Sequence, residues 1–142
     1  MTIAYGLLVS LAAAAWSGAP TAKSAPEPAP QALAAEGRAC ALPGGLHFTY
    51  RFASRPQMGT VVLKVQVFNA DGSRSTDLAL SGRSGMPSMS GAHDSGDKPF
   101  QLNRKGDYLL PVDIVMPGDW EVVLSFKKGA KRIYRGKILL DI

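Results

Sequence analysis

One cysteine, Cys40, and two histidines, His47 and His93, are all that 142 residues offer of the side chains that most often carry disulfides, thiolate chemistry or imidazole catalysis. A lone cysteine excludes an internal disulfide. Two histidines so far apart leave no legible nucleophile, base and acid spacing, so the chain is read as a non-enzyme with no catalytic residues. Asp94 and Asp97 stand close together, but the dense alternating carboxylates of a calcium loop are missing. There is no basic helix and no basic run interleaved with aromatics, which argues against nucleic acid as a partner. Helical periodicity is absent as well, and with it every helical architecture.

Charge is also missing from the start of the chain. No charged side chain precedes Lys23, and residues 3–16 are an apolar run ending at Trp16. Small residues follow, with conceivable cuts after Ser17, Ala19 or Ala22, so residues 1–22 read as a signal peptide or an N-terminal anchor. A bilayer span needs about 20 apolar residues, and this run reaches that only if residues 18–22 are counted. Either way the expected address is exported or periplasmic, with membrane contact only through an uncleaved first segment. Residues 23–38, rich in proline and alanine, read as an extended linker, leaving 39–142 as one domain. The formal charge of +5 belongs to that domain, because Lys23 and Glu27 cancel in the first 35 residues. Cys40 does not follow the apolar run directly, since Glu36-Gly37-Arg38-Ala39 precedes it; a lipid-bearing role is excluded and a small residue near the first strand is expected.

The rest of the chain alternates. Phe48, Tyr50 and Phe52 share one parity over residues 46–53, with His47 on the polar one. Val61, Leu63, Val65 and Val67 repeat the pattern over 60–69, and Asp71-Gly72 supplies a turn. Further strands are expected at 76–83, at 100–102, over 108–116 with Tyr108, Leu110, Val112, Ile114 and Met116 inward, over 120–126 from Trp120, and over 133–141. About seven strands with turn signals roughly 8–12 residues apart predict an all-β chain of the immunoglobulin-like β-sandwich class.

One long segment does not alternate. Residues 84–99 are rich in glycine and serine and carry Met86, Met89 and His93 in a Met-x2-Met-x3-His spacing. Two thioethers and an imidazole suit a soft ion such as Cu(I): thioether sulfur has no proton to lose and survives where a free thiol would be oxidised. The competing explanation is that both methionines plug one end of the sandwich and His93 is solvated. Met116, at the end of its strand and just before Pro117-Gly118-Asp119-Trp120, is a fourth candidate metal ligand or a core residue. Trp120 is read as the central core aromatic, and an indole beside a soft cation would add a cation–π contact.

Gly85-Met86-Pro87-Ser88-Met89 with His93, and the run from Tyr108 through Met116-Pro117-Gly118-Asp119-Trp120-Glu121-Val122, resemble the YtkA-like domain family, related to FixH-type proteins. The resemblance covers about residues 36–142. It implies a small periplasmic or membrane-tethered domain connected with copper handling or oxidase assembly. Family members often have a histidine-richer loop, Met-x-x-His-x-His, whereas this chain has the single His93. Two functions therefore stand side by side: a domain binding Cu(I) through Met86, Met89, His93 and Met116, or an accessory module that uses the same loop to bind an envelope protein without metal.

Overall fold

The computed structural model describes residues 29–89 and 91–142, so the segment read as a signal peptide or anchor lies outside the described residues. The described chain is all-β. Its strands are β1 (Gln31–Ala32), β2 (Cys40–Ala41), β3 (His47–Phe52), β4 (Gly59–Phe68), β5 (Ala79–Gly85), β6 (Lys98–Pro99), β7 (Gln101–Leu102), β8 (Asp107–Ile114), β9 (Asp119–Lys128) and β10 (Lys131–Asp141). They form two five-stranded sheets, ordered β1-β10-β9-β5-β6 and β2-β3-β4-β8-β7. Every pairing is antiparallel except β1 with β10.

The two sheets bury the parities expected from the alternation. Val61, Leu63, Val65 and Val67 of β4 and Tyr108, Leu110, Val112 and Ile114 of β8 face Trp120, Val122, Leu124 and Phe126 of β9 in one core. Phe48 of β3 packs on Phe126 with ring centroids 4.6 Å apart, and Tyr134 of β10 meets both rings edge-on. Aromatic contacts between the layers add to area burial by roughly 0.5–1.5 kcal/mol each.

Three details differ from the pattern-based expectation. The short strand expected over 100–102 is divided between the layers. Lys98–Pro99 pairs with β5, Gln101–Leu102 pairs with β8, and Phe100 between them is buried with its N–H donated to Leu80 O at 2.9 Å. A proline in an edge strand costs no ladder bond, which fits Pro99. The strand expected to run to Met116 stops at Ile114, and Met116 belongs to the following turn. From Gln31 onward, the stretch read as a linker lies on the sandwich. Gln31 and Ala32 pair with Gly136 and Lys137, Leu33 packs against the core over Gly136, Ala34 O accepts the Tyr50 hydroxyl at 2.6 Å, and Gly37 N–H donates to Tyr50 O. Backbone pairing needs no apolar side chain, so an alanine-rich segment can add a strand without an amphipathic pattern.

At Gly82 of β5 the facing sheet packs directly against the backbone. A Cβ there would overlap Leu110 Cδ2 from the facing sheet and stand 3.1 Å from Phe100 Cε2. Gly82→Ala is therefore expected to cost about 1–3 kcal/mol by overpacking, measured as a lower urea midpoint at unchanged slope.

Where β4 ends and β8 begins, Asp107 is buried and held by three neighbours: Arg74 Nη1 at 2.6 Å, Gln66 Nε2 at 2.9 Å, and a turn in which Asn103 Oδ1 accepts the Asp107 N–H. Burial by itself would raise this carboxyl's pKa, but the hydrogen bonds from Arg74 and Gln66 outweigh it and hold the pKa below the ordinary value. A lowered folded-state pKa stabilises the fold above the unfolded carboxylate range and loses that contribution as pH falls through the folded value. Because the Arg74 side chain is partly exposed, Arg74→Ala should cost only about 1 kcal/mol at neutral pH. In chemical denaturation at a series of pH values, its difference from wild type should shrink below the carboxylate range.

Candidate functional site

The candidate site is the end of the sandwich where the loop between β5 and β6 meets the turn between β8 and β9. The turn is built around the Trp120 indole, whose N–H donates to Met116 O at 2.9 Å while the ring is 1% exposed. On its outer side the same turn is tied to the end of the chain: Gly118 N–H donates to Ile142 O at 2.9 Å and Ile142 N–H to Gly118 O at 3.0 Å. Held from both sides, the turn is a rigid platform, and Met116 is half-buried against the core.

Onto this platform the loop folds by local hydrogen bonds. Met89 N–H donates to Met86 O and Ala92 N–H to Met89 O, two successive reversals, and Gly91 and His93 both take positive φ, at 80° and 59°. Among the described residues His93 is the one non-glycine in that left-handed region, a conformation that costs little only for glycine. The loop then rejoins the edge of β5. Ser95 N–H donates to Ser84 O, Ser84 N–H to Ser95 Oγ, and the Asp94 carboxylate takes a fork of two bonds from the Arg83 guanidinium and one from Gly96 N–H. Ser88 adds a tie to Asp119.

Of the four sequence-selected residues, two are brought to the Trp120 turn. Met86 is 6% exposed at the base of the loop, and its methyl lies so close to Gly118 that a Cβ there would stand 2.8 Å from it. His93 is exposed on the other flank, its ring 6.3 Å from the Trp120 ring and tilted by 39°. Met116 joins them through the turn itself. Met89 lies apart on the exposed crest, at 42% exposure. Met86 and His93 line different clefts: one of about 430 Å³ with Arg83, Glu121 and Arg135, and one of about 210 Å³ with Asp113 and Trp120. Asp94 and Ser84 line both. Gathering Met86 and His93 on one ion requires the loop to shift between these clefts.

Elsewhere, His47, on the polar parity of β3, is half-buried and stacked on Phe68 at 5.1 Å. Cys40 is half-buried in β2, and Met58 is exposed before β4. Sequence reasoning missed the Arg83–Asp94 pair that closes the loop. Asp94-Ser95-Gly96 signals only the bond from Gly96 N–H, since an aspartate two residues before a glycine commonly accepts that glycine's N–H; the pairing with Arg83, eleven residues back, has no local signal. Among the described residues no group of three or more His, Cys, Asp or Glu side chains is arranged to hold a metal, so any donor set here depends on thioethers.

Comparison with known protein families, with curated proteins and with solved structures finds no match for this chain.

The hydrogen bonds from Arg83 and Gly96 N–H hold the Asp94 pKa below the ordinary carboxylate value. The closure is thus complete above the carboxylate range and is lost as pH falls through that lowered value. Asp94→Ala is expected to speed limited proteolysis within residues 86–97 several-fold at neutral pH, with the sheet signal in circular dichroism unchanged, and acidification should bring wild type toward the variant.

Proposed function

We propose that this is an exported, non-catalytic domain of the immunoglobulin-like β-sandwich class that binds Cu(I) at the rim formed by the β5–β6 loop and the β8–β9 turn. Met86, Met89, His93 and Met116 are its candidate ligands. Support for the class comes from strand order. The four-strand run β3-β4-β8-β7 faces β10-β9-β5-β6, and the chain changes layer at Phe100, as in an immunoglobulin-like topology. The YtkA-like resemblance carries the same expectation, together with copper handling or oxidase assembly.

The observation that carries the copper proposal is the shared support of Met86 and His93. The Met86 methyl rests on Gly118 and the His93 ring rests near Trp120, two residues along the same turn, whose first member of interest is Met116. The donors suit a soft monovalent ion: neutral sulfur and one imidazole, with an indole face nearby. Charges of both signs surround the donors: Arg83, Arg135 and Lys98 line the two clefts, and Arg83 is paired with Asp94. Asp94, Asp97, Asp113, Asp119, Glu121 and Asp141 all belong to this end of the sandwich. When bound, the ion would be cargo held by labile thioether contacts, and the loop hydrogen bonds between residues 84 and 95 would set how far the donors travel to meet it.

A specific observation favours the second reading, a module that binds an envelope protein without metal. Met89 and Val115, on the loop crest and the turn, are 42% and 54% exposed, so the rim presents apolar side chains outward. Anaerobic titration of the purified protein with Cu(I) against a chromogenic chelator separates the two. Copper binding predicts that wild type competes and that Met89→Ala/His93→Ala, both exposed sites, loses at least about tenfold in affinity through lost ligands. Equal and poor competition by wild type and variant would sink the copper proposal and leave the protein-binding one.

A further inference from the structure

We infer that the outer face of the β2-β3-β4-β8-β7 sheet holds a site for a phosphoryl group, gripped by Arg51, Lys64 and Thr49 where β3 and β4 run side by side. The inference is independent of whether the rim binds copper.

The first observation is a cleft of about 220 Å³ lined by Thr49, Arg51, Lys64 and Gln66. Pockets for drug-sized ligands run from about 300 Å³ upward, so this one suits a single small group. Its walls follow from the strand repeat. Phe48 and Tyr50 of β3 and Leu63, Val65 and Val67 of β4 fill the core, which turns the residues between them outward. The register then makes two cross-strand pairs of the four, Thr49 opposite Gln66 and Arg51 opposite Lys64.

The second observation is charge. Cations directly opposite each other across a strand pair are destabilising. The neighbouring acids do not relieve the Arg51–Lys64 pair: Asp107 is taken by Arg74 and Gln66, and Glu36 Oε1 accepts the Phe52 N–H at 3.1 Å. Among the described residues, neither Arg51 nor Lys64 belongs to an ion pair. On its other side Lys64 faces Leu109 of β8, which offers no counter-charge. An anion seated between the two cations exchanges their repulsion for attraction to both.

The third observation is that the cations are held in place. Gly37 has a φ of 78°, and a Cβ there would stand 2.6 Å from Arg51 Nη2 and 3.0 Å from Cζ, so glycine leaves the room that the guanidinium occupies. Gly37 is itself fixed by the N–H it donates to Tyr50 O. Lys64 is half-buried, which confines its stem as well. Side chains already ordered lose less freedom when they close on a ligand. The donor set matches a phosphoryl group: a guanidinium fork takes two oxygens, an ammonium adds a second positive charge, and the Thr49 hydroxyl donates to a third oxygen. Gln66, its amide nitrogen turned to Asp107, closes the wall.

The full chain, isotope-labelled, would be titrated with inorganic phosphate slightly above neutral pH and at constant ionic strength, following backbone amide shifts by NMR. Glycerol phosphate, acetate and chloride form parallel arms. The expected result is saturable shifts grouped at Thr49, Arg51, Lys64 and Gln66 with phosphate or its ester, and no saturation with acetate or chloride. Tighter binding of the ester assigns the site to a phosphoryl group on a larger molecule, and tighter binding of phosphate assigns it to the free ion. Arg51→Gln and Lys64→Gln should each weaken binding by about tenfold, as losing one hydrogen bond to a charged group requires. Lys128→Gln/Lys131→Gln, in the basic hairpin, should leave the titration unchanged. Shifts that fail to saturate, that acetate or chloride reproduces, or that persist undiminished in the Arg51 and Lys64 variants would overturn the inference. The rest of each variant's spectrum confirms that the sandwich is folded, and the copper titration is a separate readout.

Discussion

A buried indole must hand its N–H to something, and in this protein the recipient is the carbonyl of Met116, four residues back across the β8–β9 turn. That bond couples the core to the rim. Trp120 is packed among the inward residues of both sheets, so its position is set by the whole sandwich, and the turn inherits that position. With the Gly118–Ile142 pair of hydrogen bonds on the other side, the turn has little freedom left. The long loop after β5 then has a fixed surface to fold against, and Met86 and His93 approach it from two flanks.

The loop is held differently from the turn. Its bonds are mostly short-range or exposed: two backbone reversals, a serine pair to β5, and the Arg83–Asp94 fork. Exposed ion pairs are worth little in water, so the loop's order depends on several weak ties acting together. A rigid platform facing a weakly latched loop is an arrangement that can admit an ion or a partner without disturbing the core. The separation of Met86 and His93 into two clefts fits that division, because the loop rather than the sandwich would have to move.

Charge is distributed along the same axis as this mechanical difference. Asp113, Asp119, Glu121 and Asp141 lie toward the latched rim, and Lys127, Lys128 and Lys131 toward the hairpin tip at the other end. The molecule thus has two ends with different chemistry joined by an inert sheet core.

How much of this was legible in the sequence follows from the kind of physics involved. Alternation is a local property, so the inward sets of β4, β8 and β9 could be read directly from Val61 to Phe126 without knowing which strand neighbours which. The soft donors at Met86, Met89 and His93 were equally visible, because ligand chemistry belongs to the side chain. Other features depend on distant partners. Gln31–Ala32 became a strand only because β10 offers an open edge; Met116 left the strand pattern because Trp120 needed an acceptor; and the division of residues 98–102 between two sheets required both sheets to exist. The sequence by itself determined the all-β character, the core faces and the chemical identity of the candidate donors. Only the tertiary structure decided which donors meet the Trp120 turn and which stay apart, since those are distances between residues whose order along the chain does not set their separation in space.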